Sequence, residues 1–338
     1  MKKSFKLVVI TIIALALTAC SSGGAGKPDE KSNDLVLYSP HPAETINLLV
    51  EEFKQKTGIN VDVVAAGTGE LLKRVESEDG NAQGDVLWGG GAESLAAYTE
   101  FFQPYESTEL KNVDKGYYSD NFTWLGESPL PMVIMYNTDL VDEASAPKSW
   151  EDLLKPDFKG KIAMADPAKS GSAYTIMATM AIAYGKDTGG WDFIKNFYDN
   201  LDGVVIGSSS GVYKGVGDGE YAVGLTLEKE AIKYVLSGAP VKIVYPEEGT
   251  SAVPDGVAII KDAKNMDNAK KFIDFALSKE TQEIMAKQLS RRSIRNDVEA
   301  PEGLPPLSEI KQVDYDFKWA SEQKEANLNK WKNIVIGK

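Results

Sequence analysis

Cysteine and histidine are almost absent from this 338-residue sequence, which contains one of each, Cys20 and His41. A single cysteine cannot form a disulfide within the chain, and a zinc site would have to use carboxylates in place of the usual histidine and cysteine ligands. A Ser–His catalytic arrangement would depend on His41, and Ser39 is too close in sequence to be its natural partner. We therefore expect no enzyme and no cofactor; a secreted hydrolase with a carboxylate pair is the alternative from another class.

Basic residues are also scarce, since 37 Lys and Arg stand against 50 Asp and Glu and the formal net charge is -13. Removal of residues 1–19 would take away three lysines and no acid, which leaves 34 basic against 50 acidic residues and a charge of -16. Binding to nucleic acids and to anionic membranes depends on basic patches. We expect neither kind of direct contact, and the hydrophobic content of 43% predicts a globular domain.

The N-terminal segment has no apolar run long enough to span a bilayer. Leu7 to Ala19 is a 13-residue run with two threonines in it, and three lysines precede it; a transmembrane helix needs about 20 apolar residues. This pattern predicts a secretory signal over residues 1–19. The ending Leu17-Thr18-Ala19-Cys20 resembles a bacterial lipobox, which implies cleavage before Cys20 and a lipid on its thiol; an ordinary signal with an incidental cysteine is the alternative. The polar stretch over residues 20–33 predicts a flexible tether.

The rest of the chain alternates between strand and helix periodicity. Roughly 300 residues exceed the usual size of a single core, so we expect two lobes. Short buried strands alternate with amphipathic helices, which predicts an α/β fold with parallel-type sheets. The predicted strands include Leu35–Tyr38, Ile59–Val64, Asp85–Trp88, Pro131–Tyr136, Ile162–Ala165 and Val204–Ile206, and the predicted helices include Ala43–Thr57, Glu70–Glu78, Ala92–Glu100, Ser149–Leu154, Ser172–Tyr184, Trp191–Asn200 and a surface helix over Tyr315–Asn333.

Five turns between a predicted strand and a predicted helix contain hydroxyl, glycine or imidazole groups. Helix N-termini present free N–H groups and a positive dipole end, so ligand chemistry is expected there. The turn at Trp88–Glu93 lacks the Gly-Lys-Ser/Thr ending of a nucleotide loop. The turns are Tyr38–Glu44, Ala65–Glu70, Trp88–Glu93, Asp166–Ala173 and Gly207–Lys214.

The turn that contains Ser170, Gly171 and Ser172 carries the strongest local signal. Its hydroxyls and N–H groups converge where a helix begins, which suits an oxyanion. A serine at this position is equally typical of a simple helix cap. Both interpretations remain open on the local sequence.

The order of eight short motifs resembles the extracellular solute-binding proteins of ABC importers, in the type 2 periplasmic-binding class that includes ferric-iron, 2-aminoethylphosphonate and sugar-phosphate binders. The resemblance covers about residues 34–286. The motifs are Tyr38-Ser39-Pro40-His41, Thr57-Gly58-Ile59-Asn60-Val61, Gly84-Asp85-Val86-Leu87-Trp88, Tyr136-Asn137, Ser149-Trp150-Glu151-Asp152-Leu153, Ser170-Gly171-Ser172, Gly219-Glu220-Tyr221-Ala222-Val223-Gly224 and Val253-Pro254-Asp255-Gly256-Val257.

The resemblance implies a two-lobed fold with a ligand cleft, which closes over a small solute and presents it to a membrane permease and its ATPase. We expect lobe one over residues 34–120 and 246–288, and lobe two over residues 121–245 and 289–338. The resemblance also implies a monomer that is lipid-anchored on the exported face of the bacterial cytoplasmic membrane, or periplasmic.

The resemblance leaves two classes of solute. Iron members place two adjacent tyrosines after the Gly-Glu strand, where this chain has Thr226-Leu227-Glu228-Lys229. His41 and Glu70 fall near positions that iron members use, so ferric iron stays as the alternative. In anion-binding relatives the Ser-Gly-Ser turn grips a phosphate-type oxyanion, and we expect a small organic anion of phosphonate or sugar-phosphate type.

We expect neutral hydrogen-bond donors to contact the ligand, together with a carboxylate and an aromatic side chain. Glu228 would accept from an ammonium or a sugar hydroxyl, and Trp88 would supply an apolar or stacking wall. Arg291 and Arg292 are more typical of a surface salt bridge. The candidate ligand-binding residues are Ser39, His41, Thr68, Gly69, Trp88, Ser170, Gly171, Ser172, Ser208, Ser209, Ser210, Glu228 and Asp255.

Overall fold

The computed structural model describes residues 33–337. The predicted signal peptide and all but the last residue of the predicted tether, including Cys20 with its predicted lipid, lie outside the described residues.

The described chain is a mixed α/β protein. Its strands are β1 (Asp34–Ser39), β2 (Asn60–Ala65), β3 (Val86–Gly91), β4 (Phe102–Gln103), β5 (Leu125–Pro129), β6 (Met132–Asn137), β7 (Ile162–Ala165), β8 (Val205–Ile206), β9 (Val223–Leu227), β10 (Val241–Val244) and β11 (Pro254–Ile260). Its α-helices are α1 (Ala43–Thr57), α2 (Thr68–Ser77), α3 (Ala92–Ala96), α4 (Gly171–Ala183), α5 (Gly190–Leu201), α6 (Ser209–Gly217), α7 (Glu228–Leu236), α8 (Met266–Leu277), α9 (Lys279–Leu289), α10 (Phe317–Glu322) and α11 (Lys324–Val335). Short 3-10 turns include Glu151–Leu154, where the sequence predicts an α-helix.

The strands form two sheets. The first has the order β2-β1-β3-β11-β4, with β5 also paired to β11. Strands β1, β2 and β3 pair in parallel, whereas β11 runs antiparallel to its neighbours. The second sheet has the order β10-β6-β9-β7-β8, in which β6 is antiparallel to β9 and β10 and β7 is parallel to β8 and β9. Each sheet therefore mixes a parallel part with an antiparallel strand.

Both sheets are covered on both faces, and the central strands β3, β6, β9 and β11 are therefore buried along their whole length. Strand β6 shows the pattern clearly. Met132, Ile134 and Tyr136 belong to the core that includes α4 and α5, while Val133 and Met135 belong to the core that includes α6 and α7. This alternation follows the two-residue period of a strand.

Two segments connect the sheets side by side. The first follows Pro129 and leads into β6, and the second precedes β11. They are joined by hydrogen bonds, since the Leu130 N–H donates to the Val253 carbonyl at 3.2 Å and the Met132 N–H donates to the Thr250 hydroxyl at 3.1 Å. Strand β5 pairs in the first sheet although its residues fall in the range predicted for lobe two. The lobe boundaries stay a prediction.

The C-terminal segment forms two helices that end and begin around Gln323, where the sequence predicts one surface helix. Trp331 is buried in the core of the second sheet, and Phe317 packs against Trp124 beside the first sheet. These helices are therefore part of the packing. Within residues 33–337, no helix has both the length and the apolar character needed to cross a bilayer.

Candidate ligand-binding site

A cavity of about 390 Å³ lies at the carboxyl ends of strands from both sheets. This is the edge at which α/β sheets place their ligands. Its lining comes from the ends of β1, β2, β7, β8 and β9 with the turns and first helical residues that follow them, and from single residues of β3 and β11. It consists of Ser39, Pro40, His41, Pro42, Ala65, Ala66, Gly67, Thr68, Glu70, Gly90, Lys169, Ser170, Gly171, Ser172, Gly207, Ser208, Ser209, Ser210, Tyr213, Leu227, Lys229, Glu230 and Asp255.

Five helices begin at this cavity. The residues that precede the first turns of α1, α2, α4, α6 and α7 all line it, and they are Pro42, Gly67, Ser170, Ser208 and Leu227. The first N–H groups of a helix have no acceptor within the helix, and the helix dipole is positive there. The backbone therefore surrounds the cavity with donors that suit an anion.

Two pairs of serine hydroxyls, which we call the serine turns, add to these donors. The hydroxyls of Ser170 and Ser172 lie 3.1 Å apart, as do those of Ser208 and Ser210. Ser170 also caps α4, because its hydroxyl accepts from the Ala173 N–H at 3.3 Å. The two interpretations of this turn are thus compatible, since a capping serine still lines the cavity.

Glycines allow the turn before α2 to approach the turn before α4. A β-carbon on Gly67 would lie 2.3 Å from the Lys169 carbonyl oxygen, and one on Gly171 would lie 2.8 Å from the Thr68 hydroxyl. Contacts below 3.0 Å force a shift when the neighbour is backbone. A side chain at position 67 would therefore push these two sides of the cavity apart.

A cluster of buried charged groups, which we call the charged wall, forms another part of the site: His41, Glu127, Lys229, Glu230, Asp255 and Arg291. Arg291 lies at its centre, with its guanidinium 3.1 Å from Asp255 and 3.4 Å from Glu127. His41 lies 3.3 Å from Glu127 through Nε2. Arg291 is 1% exposed, which corrects the expectation of a surface salt bridge.

The charges of this wall hold one another in place. Burial, and then the neighbouring Arg291, lower the pKa of His41, so its ring is neutral at pH 7. Burial alone would raise the pKa of Glu127, but Arg291 and then His41 outweigh it and lower that pKa to about 2. A buried charge is tolerated only when it is paired in this way.

Most of the residues proposed from the sequence line this single cavity. They are Ser39, His41, Thr68, Ser170, Gly171, Ser172, Ser208, Ser209, Ser210 and Asp255, together with the alternative metal residue Glu70. The hydroxyl of Ser39 is already used, because it donates to the Trp88 carbonyl at 2.8 Å.

Three proposed residues lie elsewhere. Gly69 lines a second cavity of about 840 Å³ beside α11. The Trp88 ring is fully buried behind His41, with the ring centroids 4.5 Å apart. Glu228 is buried and receives hydrogen bonds from Arg292 at 2.7 and 2.9 Å and from the Tyr245 hydroxyl at 2.6 Å. Its carboxylate is thus engaged inside the protein, and Arg292 is correspondingly buried rather than at the surface.

Lys229 and Glu230, which were not predicted from the sequence, line the cavity from the first turn of α7. They adjoin Glu228 in sequence, and three consecutive charged residues gave no sign of which one faces the cavity. The contact that turns Glu228 away from the cavity is its ion pair with Arg292, which lies 64 residues further along the chain. Among residues 33–337 there is no group of three or more His, Cys, Asp or Glu side chains arranged to hold a metal ion.

The family of this chain follows from comparison with known proteins. The sequence pattern described as "bacterial extracellular solute-binding protein" matches residues 88–318, more than half of the chain. The chain belongs to this family. Its members bind solutes and are not enzymes, so the carboxylate-pair hydrolase is set aside.

Three curated relatives illustrate the range of the family. A probable ABC transporter periplasmic-binding protein of Sinorhizobium fredii is 28% identical over 72% of this chain and 69% of its own length. The iron uptake protein A1 of Synechocystis is 29% identical, over 78% and 76%. A Salmonella typhimurium protein named for 2-aminoethylphosphonate binding is 26% identical, over 73% of each.

Solved structures agree with the fold. The periplasmic binding protein AfuA of Actinobacillus pleuropneumoniae, with fructose-6-phosphate bound, has a TM-score of 0.84 and 28% identity and covers 89% of this chain and 98% of its own. The ferric binding protein of Campylobacter jejuni has a TM-score of 0.77 and 25% identity, over 89% and 99%. This solute-binding protein has the type 2 periplasmic-binding fold and is the substrate-binding component of an ABC importer, with a small solute and a permease as partners.

Proposed function

We propose that this solute-binding protein captures a small organic anion that carries a phosphate or phosphonate group and delivers it to its permease. The observation that carries the proposal is the meeting of five helix N-termini and two serine pairs at one cavity. Neutral N–H and O–H donors bind a phosphate-type group without adding a fixed charge.

The contacts of His41 argue against ferric iron. His41 is the imidazole that an iron site would use, yet its Nδ1 lies 3.5 Å from the Arg291 guanidinium and its Nε2 faces Glu127. Both ring nitrogens of His41 therefore already face charged groups of the protein. The names of the relatives include both solute classes, so the choice rests on these contacts.

The experiment is thermal unfolding of the protein against inorganic phosphate, 2-aminoethylphosphonate, several sugar phosphates and chelated ferric iron. A ligand at ~100 times its dissociation constant stabilises the folded state by about 2.7 kcal/mol, which shifts the melting temperature by a few degrees. We expect a shift with an organophosphorus compound and none with iron. A shift with iron alone would contradict the proposal and make His41 and Glu70 the first residues to substitute.

The anchoring of the protein is a second part of the proposal, and the sequence from Leu17 to Cys20 supports it. Cys20 would carry the lipid that holds a monomeric binding domain at the exported side of the membrane. A Cys20→Ala variant expressed in a bacterial host should leave the membrane fraction. Retention of the variant at the level of the wild-type protein would contradict lipid anchoring at this residue.

A further inference from the structure

One carboxylate oxygen of Glu230 accepts no hydrogen bond from the described residues. Its side chain is 5% exposed and lines the cavity, and its Oε1 atom is buried without a hydrogen-bond partner among the described residues. The other oxygen, Oε2, lies 3.7 Å from the Lys233 ammonium. A buried carboxylate oxygen without a donor is costly, because it has lost water and gained nothing in return.

Lys229 presents donors beside this acceptor. Its side chain is 4% exposed and lines the cavity, and the carboxylate oxygens near its ammonium lie at 3.5 Å on Asp255 and 3.8 Å on Glu230. Charge-assisted hydrogen bonds are shorter, near 2.7–2.9 Å. Burial, and then Arg291, lower the pKa of Lys229, so an oxygen acceptor on a ligand would stabilise its charged form.

The charged groups around Lys229 and Glu230 disfavour a ligand that carries a cation. Each of the three buried carboxylates already has a cation within 4 Å: Glu127 and Asp255 have Arg291, and Glu230 has Lys229 and Lys233. A ligand ammonium here would lie among these cations and meet repulsion. A ligand carboxylate would meet Glu230. A hydroxyl both donates and accepts, so it satisfies Glu230 and Lys229 without adding charge.

We propose that Lys229 and Glu230 form a subsite for the hydroxyl groups of the ligand, so that the protein prefers a polyol phosphate, such as a sugar phosphate, to an aminoalkylphosphonate. The inference rests on the proposed function, which places the phosphate at the serine turns. The Lys229 ammonium donates to one hydroxyl, and Glu230 Oε1 accepts from the same or a neighbouring hydroxyl.

The test measures dissociation constants by calorimetry for glucose 6-phosphate, n-hexyl phosphate and 2-aminoethylphosphonate. Hexyl phosphate keeps the phosphate and the chain length but has no hydroxyls. We expect the wild-type protein to bind glucose 6-phosphate at least tenfold more tightly than either of the others. Tighter binding of 2-aminoethylphosphonate than of glucose 6-phosphate would overturn the inference.

Substitutions of Lys229 and Glu230 test whether these two side chains cause the preference for glucose 6-phosphate. Glu230→Gln and Lys229→Met should each weaken glucose 6-phosphate binding by roughly tenfold to a hundredfold, the range for a hydrogen bond to a charged group, and leave hexyl phosphate within about twofold. Glu51→Gln is the control, because Glu51 is exposed on α1 and does not line the cavity. Equal losses for both phosphates, or a loss only in Glu51→Gln, would overturn the inference.

Failure of the proposed function has a different signature. If the phosphate site is wrong, hexyl phosphate, inorganic phosphate and glucose 6-phosphate all fail to bind the wild-type protein, and both proposals fall. If only the subsite is wrong, the two phosphate esters bind equally well. Thermal unfolding of each variant without ligand shows whether the variant is folded. If the Lys229 variant does not fold, the order of ligand affinities in the wild-type protein tests the inference by itself.

Discussion

The serine turns line the cavity, and the charged wall reaches it through His41, Lys229, Glu230 and Asp255, but the two are built in opposite ways. The serine turns consist of neutral groups at helix N-termini, with hydroxyls that lie beside one another. Apart from the neutral His41, the charged wall consists of full charges that neutralise one another within about 4 Å. The serine turns therefore keep hydrogen-bond donors available for an anion. The charged wall fixes the shape of the site and offers a ligand only a few of its polar atoms. This difference predicts that substitutions in the wall affect folding most, and that substitutions in the turns affect binding most.

The largest effect on stability is expected from Arg291→Met. This substitution leaves Glu127 and Asp255 buried without their shared guanidinium, and breaking a buried ion pair in this way costs about 3–5 kcal/mol. Urea unfolding at pH 7 measures the loss. Lys279→Met, which removes one partner of an exposed pair, should change stability by less than about 1 kcal/mol. Similar losses in both variants would contradict the central place of Arg291.

The dependence of stability on pH tests whether Glu127 is a paired, charged carboxylate. The pKa of Glu127 is lowered from 4.5 to about 2 in the folded protein, so this group stabilises the fold above pH 4.5 and its contribution of about 3 kcal/mol is lost as the pH falls toward 2. Glu127→Gln should therefore flatten the decline of stability between pH 5 and pH 2. Urea midpoints across this range provide the measurement, and parallel curves for wild type and variant would argue against a paired carboxylate.

Gly67→Ala tests the close approach of the two turns. The added methyl would lie 2.3 Å from the Lys169 carbonyl oxygen, and overpacking of this kind costs about 1–3 kcal/mol. We expect ligand affinity to fall roughly tenfold or more, because the two sides of the cavity can no longer approach. Gly207→Ala is the matched control, since Gly207 lines the same cavity and a β-carbon there meets no atom within 4 Å. Unchanged affinity in Gly67→Ala would mean that the approach is not needed for binding.

The smallest effect on stability belongs to the serine turns. The double substitution Ser170→Ala and Ser172→Ala removes a helix cap worth about 1 kcal/mol, yet it should weaken phosphate-ligand binding by roughly tenfold or more. Ser278→Ala is a close control, because Ser278 caps α9 through the same 3.3 Å contact, to the Thr281 N–H, and does not line the cavity. Both variants should lose similar stability, measured in urea, and only the first should lose affinity in calorimetry. A loss of affinity in neither variant would rule out the serine turns as the anion site.

Local pattern was enough to predict much of the fold. The run from Leu35 to Tyr38 lies inside β1, and Ala43–Thr57 coincides with α1, because apolar spacing reports directly on burial. The same reasoning placed Ser170 and Ser172 at a helix start beside a strand end. The helix predicted over Ala92–Glu100 ends early, at Ala96, and a 3-10 turn follows.

Partners distant in sequence could not be predicted. Glu228 has the chemistry of a ligand contact, but Arg292 binds it from 64 residues away, and Lys229 and Glu230 take the places at the cavity. Arg291 resembles a surface residue in sequence, yet it reaches Glu127 across 164 residues. Composition gives the type of each charged group, but only the tertiary fold decides which charges neutralise one another and which face the solute.

The most direct test of the account is a crystal structure of the protein with glucose 6-phosphate. We expect the phosphate oxygens to lie within hydrogen-bond distance of the Ser170 and Ser172 hydroxyls, with the sugar hydroxyls against Lys229 and Glu230. A phosphate bound to Lys229 with the serine turns empty of ligand would contradict it.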